Sequence, residues 1–197
     1  MLSPMPGRSV ITLLQAYESP LGPMTLAAAV EEKGGLPGEA QLADGVLVGT
    51  WFDGQRHDRA GIGGDALTVS AADLPEPPVL ASARAWLDRY FSGAEPGEPP
   101  ALAAQGTAFQ KQVWSLLRQI PRGQTCTYGQ LSEAVAAATG RACSARAVGG
   151  AVGRNPLSVF VPCHRVLGAG GSLTGYAGGT ERKTALLRLE GWHPTAC

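Results

Sequence analysis

The chain has 197 residues, of which 44% are hydrophobic, and its 16 basic residues balance its 16 acidic residues. This composition supports one good core or two small ones and excludes a disordered chain. Because no apolar run approaches the roughly 20 residues of a membrane span, and no basic cluster precedes an N-terminal apolar stretch, we expect a soluble protein with no membrane partner. We expect it in the cytoplasm, or in the nucleus if the source is eukaryotic.

The charges are unevenly distributed. Residues 1–105 carry 6 basic and 13 acidic side chains, a net charge of −7, whereas residues 106–197 carry 10 and 3, a net charge of +7. A basic half predicts a polyanionic partner, because each neutralised phosphate releases counterions. The alternative is that opposite charges only help two domains to dock.

In the first half, apolar runs at residues 10–30 and 45–52 are broken by Gly and Pro and predict antiparallel strands with a hairpin. Residues 79–91 have helical spacing, and residues 92–100, rich in Gly, Pro and Glu, read as a linker. We therefore expect an N-terminal α/β domain over residues 1–104. His57 lies in a polar loop and reads as a solvated side chain rather than a ligand.

The second half, residues 105–197, predicts a helical domain. A first helix with an apolar face ends at Pro121 and Gly123, and Thr127 can cap a second helix over residues 128–138. A third helix is predicted over residues 144–153, so the last two form a helix-turn-helix. The expected core residues of the first helix are Phe109, Val113, Trp114, Leu116, Leu117 and Ile120.

The third helix is made almost entirely of Ala, Val and Gly, with Arg146 as its long charged side chain. Such a helix has almost no side chains that could recognise individual bases. Its small residues instead suit close, sequence-independent approach to a minor groove, with Arg146 entering the stack. The alternative is that the small residues serve only tight helix packing.

The most distinctive segment is Pro162-Cys163-His164-Arg165-Val166. A thiol beside an imidazole and a guanidinium suggests a reactive cysteine whose pKa is lowered by its neighbours. The alternative is a small buried hydrophobe after a strand-like run over residues 157–161. The four cysteines form no Cys-x-x-Cys pair, and the first half of the chain contains no cysteine. We therefore expect no metal and no disulfide framework.

These motifs together resemble the methylated-DNA-protein cysteine methyltransferases, which repair alkylated DNA. The resemblance runs from about Gly106 to Gly191 and includes the pentad. Its other motifs are Phe109-Gln110, Val113-Trp114, Ile120-Pro121, Gly123, Thr125, Tyr128-Gly129, Arg146-Ala147-Val148-Gly149, Asn155-Pro156 and Gly175-Tyr176-Ala177-Gly178-Gly179. It implies a ribonuclease H-like first domain and a winged helix-turn-helix second domain, an α+β fold overall.

The resemblance also implies a mechanism. Cys163 would take the alkyl group from O6 of a flipped-out guanine, or from O4 of thymine, in a single irreversible turnover without a cofactor. His164 would act on the thiol through a water, because neighbouring residues of an extended chain face opposite sides. Glu190 would orient His164, and Tyr128 would be the general acid for the departing base, unless it is only a core aromatic.

The remaining site residues follow from the same resemblance. Arg146 would fill the gap left by the base, Asn155 would tether the turn before the active-site segment, and Arg165 is either part of the site or an ion-pair partner. Further expected DNA contacts are Thr127, Ser144, Ala145, Gly149 and Arg154. Further expected pocket and structural residues are Pro162, Val166, Tyr176, Ala177, Gly178 and Lys183.

The expected partner is double-stranded DNA with alkylated bases, contacted in the minor groove by a monomer, with cooperative assembly along DNA as a hypothesis. Two other classes stay open at this point. A cysteine hydrolase would also use Cys and His, although such enzymes usually draw them from distant segments. A noncatalytic module could flip damaged guanine without reacting with it.

Overall fold

The computed structural model describes residues 10–33, 41–42, 45–68 and 76–193. The chain divides into two compact units. The first contains the residues up to Thr50 together with Arg59–Ala103, and the second contains Trp51–Asp58 together with the residues from Ala104 onward. Segment 51–58 therefore belongs to the second unit, although the sequence placed it in the first domain. In the part of the chain described, no helix is long and apolar enough to cross a membrane.

The first unit is built on a mixed β-sheet. Strands β1 (Val10–Ser19) and β2 (Gly22–Lys33) form the predicted antiparallel hairpin. Strand β3 (Gln41–Leu42) pairs antiparallel with β2, and β4 (Val46–Phe52) also pairs with β2. Strand β5 (Leu67–Thr68), which was not predicted, lies parallel to β1 at the edge of the sheet.

Helix α1 (Pro78–Phe91) completes this unit, as the sequence predicted. Pro78 occupies the first turn, where a missing N–H costs nothing. Its buried face consists of Val79, Leu80, Ala83, Leu87 and Tyr90. Burying one such leucine is worth about 1.5–3 kcal/mol, so hydrophobic burial stabilises this unit.

Up to residue 193, where its described part ends, the second unit contains four α-helices and a short parallel strand pair. The helices are α2 (Ala108–Leu117), α3 (Tyr128–Thr139), α4 (Ala145–Val152) and α5 (Thr180–Leu189). The strands are β6 (Cys126–Thr127) and β7 (Val166–Leu167). Together with the sheet of the first unit, these elements confirm the α+β class.

Side-chain caps fix the starts of α3 and α4, the two helices of the helix-turn-helix. Thr127 caps α3 as predicted, in a reciprocal capping box with Gln130, and Ser144 caps α4. The indole Nε1 of Trp114 donates to the carbonyl of Ala151 over 2.9 Å, which ties α2 to α4. Phe109 was wrongly expected in the core: 37% of its surface is exposed. Ile120 lies beyond the end of α2.

The predicted strand at residues 157–161 is not formed. Residues 158–160 form a turn, and Cys163–Arg165 forms a single 3-10 turn before β7. The geometry assumed for an extended chain at Cys163 and His164 therefore does not apply.

Candidate active site

Asn155 holds the segment that carries Cys163. Its side-chain amide donates to the carbonyl of Val161 over 2.8 Å and to Sγ of Cys163 over 3.2 Å. Its Oδ1 accepts from the backbone N–H of Leu157 over 3.0 Å. One buried side chain thus fixes both ends of the turn and contacts the sulfur, which gives the predicted tether a definite geometry.

The same turn contains a strained residue. Val159 is buried and has a φ of 73°, in the left-handed region that β-branched residues avoid. The hydrogen bond from the N–H of Val161 to the carbonyl of Leu157, 2.8 Å long, closes the chain around it. Strain of about 1–3 kcal/mol persists where the surroundings impose it, commonly beside functional sites.

Cys163 is a buried thiol, with 6% of its surface exposed. Burial raises its pKa, while the hydrogen bond from Asn155, the charge of Lys183 and the nearby backbone amides act in the opposite direction. The sequence predicted a pKa lowered by His164 and Arg165. That prediction was wrong, because burial outweighs the groups that favour the thiolate, and neither the His164 side chain nor Arg165 is one of those groups.

His164 and Glu190 are fully buried side chains that meet at 2.9 Å, between Nε2 and Oε1. Arg165 donates to both oxygens of Glu190, from Nε over 2.8 Å and from Nη2 over 2.7 Å. Its Nη1 also donates to the carbonyl of Ile120 over 2.6 Å. The ion-pair alternative for Arg165 is therefore confirmed.

The ionisation of this cluster follows from these contacts. Burial favours the neutral form of Glu190, but the hydrogen bonds and charges of His164 and Arg165 outweigh it and hold its pKa far below the ordinary value. Burial lowers the pKa of His164 despite the neighbouring carboxylate. At neutral pH the cluster is thus a Glu190–Arg165 ion pair that orients a neutral imidazole.

Lys183 is a buried ammonium group close to the thiol. Its Nζ donates to the carbonyls of Val166 over 2.5 Å and Thr174 over 2.8 Å. Burial lowers its pKa to about 8, and the neighbouring Cys163 opposes that shift. Lys183 is therefore mostly charged at neutral pH, where it favours a thiolate at Cys163.

A cavity of about 370 Å³ lies in the second unit, and two tyrosines line it. Burial raises the pKa of both Tyr128 and Tyr176, and the charge of Cys163 adds to the effect. Both phenols stay protonated and can donate hydrogen bonds. Tyr128 now donates to the carbonyl of Gly175 over 3.2 Å. Gly175 has a φ of 76°, and a Cβ there would stand 2.7 Å from the Tyr128 hydroxyl, so a side chain is excluded.

The expected pocket residues surround this site in different ways. The backbone of Pro162 accepts from the N–H of Arg165 over 3.0 Å, and Val166 lies in β7. Ala177 lines the cavity beside Tyr176. Gly178 is buried, and its carbonyl accepts from Nη1 of Arg182 over 3.2 Å.

The expected DNA contacts lie on the helix-turn-helix. Ser144, Ala145 and Arg146 are exposed at the start of α4, whereas Thr127 is half-buried at the start of α3. The hydroxyls of Thr127 and Ser144 already accept capping hydrogen bonds. Gly149 and Arg154 line the cavity, which therefore adjoins the α4 helix.

The contribution of segment 51–58 to the site was not predicted from the sequence. Gln55 is buried, and its Oε1 accepts from the N–H of Phe52 over 3.0 Å and from the hydroxyl of Ser158 over 3.2 Å. Arg56 and His57 line the cavity. His57 is exposed, as a loop histidine was expected to be, but it lies at the site. Because Gln55 lies in a polar stretch, between Gly54 and Arg56, nothing in the local sequence marked it as buried.

Comparisons with known proteins agree with this site. The family model for the DNA-binding domain of 6-O-methylguanine DNA methyltransferase matches residues 108–192. The methylated-DNA-protein-cysteine methyltransferase of Methanosarcina acetivorans is 36% identical over 175 residues, which cover 89% of this chain and 96% of that protein. The protein of the same name from Mycobacterium leprae is 38% identical over 176 residues, covering 89% and 90%.

A solved structure is similar over nearly the whole chain. The crystal structure of Mycobacterium tuberculosis OGT in complex with DNA superposes with a TM-score of 0.68 and 35% sequence identity, covering 90% of this chain and 92% of that one. Similarity of this extent includes both the sheet and the helix-turn-helix. The chain therefore belongs to the methylated-DNA-protein-cysteine methyltransferase family.

Proposed function

We propose that this protein repairs DNA directly, by transferring the alkyl group from O6 of guanine, and from O4 of thymine, to its own Cys163. The observation that carries the proposal is the placing of Cys163. Its sulfur accepts a hydrogen bond from Asn155 at 3.2 Å, and the charge of its thiolate acts on both Tyr128 and Tyr176, which line the cavity. Family membership supports the reaction type.

The thiol is activated by a relay. Because burial raises the pKa of Cys163, its proton must be removed as the reaction proceeds. Neutral His164, oriented through Nε2 by Glu190, takes that proton at Nδ1 through one water. The charge of Lys183 and the amide of Asn155 stabilise the thiolate that forms.

The transfer itself is an in-line displacement. A bond forms between Sγ and the alkyl carbon as the bond from that carbon to O6 breaks, and the electron pair leaves with the guanine. A guanine anion is a poor leaving group, so Tyr128 donates a proton to it. The high pKa of Tyr128 keeps that proton in place until the base departs. The thioether that remains has no ready leaving group, so each molecule reacts once.

The DNA is bound through the minor groove. The exposed start of α4 carries Ser144, Ala145 and Arg146, small or basic residues that allow close approach to a backbone. Arg146 enters the stack where the damaged nucleotide rotates out, a step that costs about a few kcal/mol. We further propose that the protein acts as a cytoplasmic monomer, without a cofactor, and that neighbouring molecules can assemble along DNA.

Peptide mass spectrometry tests the proposal. We expect incubation with duplex DNA containing O6-methylguanine to add one methyl group to the peptide that contains Cys163, and no methyl group to a Cys163→Ser variant. Tight lesion binding by the wild type without methylation would instead indicate a noncatalytic recognition module. Methylation at Cys126 or Cys143 would show that the reaction takes place elsewhere.

A further inference from the structure

One wall of the cavity comes from the acidic first half of the sequence. Arg56 and His57 of segment 51–58 line the cavity together with Tyr128, Arg154 and Tyr176. The family model begins at residue 108, so the match to the DNA-binding domain does not include them. Neither residue has a role in the alkyl transfer proposed for Cys163.

The turn that carries Arg56 is fixed to the active site. The backbone N–H of Arg56 donates to the carbonyl of Ala177 over 3.1 Å. Buried Gln55, next to it, joins the turn to Ser158 over 3.2 Å. The N–H of Gly54 donates to Oδ2 of Asp58 over 3.1 Å, so that carboxylate is engaged within the turn. The backbone of Arg56 is therefore already held in place before a ligand binds, which reduces the entropic cost of ordering this turn on binding.

The lining residues differ in exposure and charge. Arg56, His57 and Arg154 are exposed, whereas Tyr128 and Tyr176 are half-buried and lie within the electrostatic influence of Cys163. A flipped nucleotide has the same division, since its flat base must reach the thiol while its anionic phosphate stays toward solvent. Guanidinium groups bind phosphate oxygens strongly because their N–H groups match the phosphate geometry.

We propose that Arg56 binds a backbone phosphate of the extruded nucleotide, so that the first half of the sequence contributes directly to holding damaged DNA. Arg154 supplies a second guanidinium to the same cavity, with its Nη1 donating to the carbonyl of Gly150 over 3.2 Å. This inference rests on the proposed function and adds to it a contact outside the helix-turn-helix.

Paired substrates test this role. Duplex DNA containing O6-methylguanine presents the phosphate, whereas the free base O6-benzylguanine presents only a base and an alkyl group. We expect Arg56→Ala to slow transfer from duplex DNA about tenfold, as loss of one charged hydrogen bond would, and to change transfer from the free base by less than about twofold. The slope of log affinity for DNA against log salt concentration should fall by about 0.9.

Two further variants control for charge. Arg56→Lys keeps the charge and should retain the salt slope of the wild type. Arg84→Ala removes the same charge from α1, where Arg84 pairs with Glu76 at 2.7 Å, and should leave both transfer rates unchanged. Because Arg56 is tied to Ala177 through its backbone, the Ala variant should keep the thermal stability of the wild type.

The outcomes separate the two proposals. Equal slowing on DNA and on the free base, or an unchanged salt slope in Arg56→Ala, would overturn the phosphate contact even though the wild type methylates Cys163. A wild type that leaves Cys163 unmodified with both substrates would instead refute the proposed function. Slowing confined to DNA, with a reduced salt slope, supports the contact.

Discussion

In the first unit the buried side chains of the described residues are apolar except for Thr25 and Thr50, whereas the second unit buries a thiol, an imidazole, an ammonium group and a carboxylate. The charged groups of the second unit are paired with one another or with backbone carbonyls. Burying such groups is costly, and replacing them with apolar residues is often neutral or stabilising.

The difference indicates what each unit is built for. The core of the sheet and α1 is stabilised by burial of apolar side chains such as Leu13, Leu26, Leu80 and Leu87. The second unit accepts desolvated charges and the left-handed Val159 beside Cys163. Local rules of this kind are commonly broken where function requires it, with compensation elsewhere in the fold.

The largest loss of stability is expected for a substitution at Glu190, in the second unit. Glu190→Gln removes the negative charge between His164 and Arg165, leaving a guanidinium that is 12% exposed without its counterion. We expect a loss of about 3–5 kcal/mol in the free energy of unfolding, measured by urea denaturation at pH 7. Transfer should also slow, because His164 loses the group that orients it.

A carboxylate in the first unit is the matched control. Asp88 is exposed on α1 and accepts a hydrogen bond from the Tyr17 hydroxyl over 2.9 Å, so Asp88→Asn should cost less than about 1 kcal/mol. Acidification tests the contribution of Glu190 directly. Because the pKa of Glu190 is depressed in the folded state, its stabilisation is present above its ordinary pKa and declines as the pH falls below it. Glu190→Gln should lack this part of the acid sensitivity. Equal losses in the free energy of unfolding for Glu190→Gln and Asp88→Asn would contradict the difference between the two units.

A smaller loss of stability is expected for a substitution in the apolar core of the first unit. Leu87→Ala removes a fully buried side chain from α1 and should lower the free energy of unfolding by about 3 kcal/mol through lost burial and a residual cavity. The rate of alkyl transfer from the free base, per folded molecule, should not change. A parallel loss of rate would show that the first unit supports the chemistry and not only its own core.

Much of the helical unit could be predicted from local chemistry. Thr127 is followed three residues later by Gln130, which fixes the start of α3, and the small residues of the third helix marked α4. The resemblance carried by the Cys163 pentad predicted a contact between Glu190 and His164, which the structure places at 2.9 Å. These features depend on short spacings or on motifs with a fixed pattern.

Other features depend on contacts distant in the sequence. An apolar run before Cys163 has the composition of a strand, but the hydrogen bonds of Asn155 to Leu157 and Val161, and of Val161 to Leu157, hold it in a turn. The pKa of Cys163 is set by burial, which its neighbours in sequence do not reveal. Segment 51–58 joins the second unit through the contact of Gln55 with Ser158, 103 residues away.

The most direct test of thiol activation by His164 and Glu190 is the pH dependence of the reaction of Cys163 with O6-benzylguanine, in the wild type and in His164→Gln. Because burial keeps the pKa of His164 below its ordinary value, the wild-type rate should be nearly constant above about pH 6.5 and should fall only on acidification. The variant depends on spontaneous ionisation of a thiol with a raised pKa, so its rate should be lower at pH 7 and rise about tenfold per pH unit. Identical profiles for the two proteins would contradict activation of Cys163 by the buried His164–Glu190 pair.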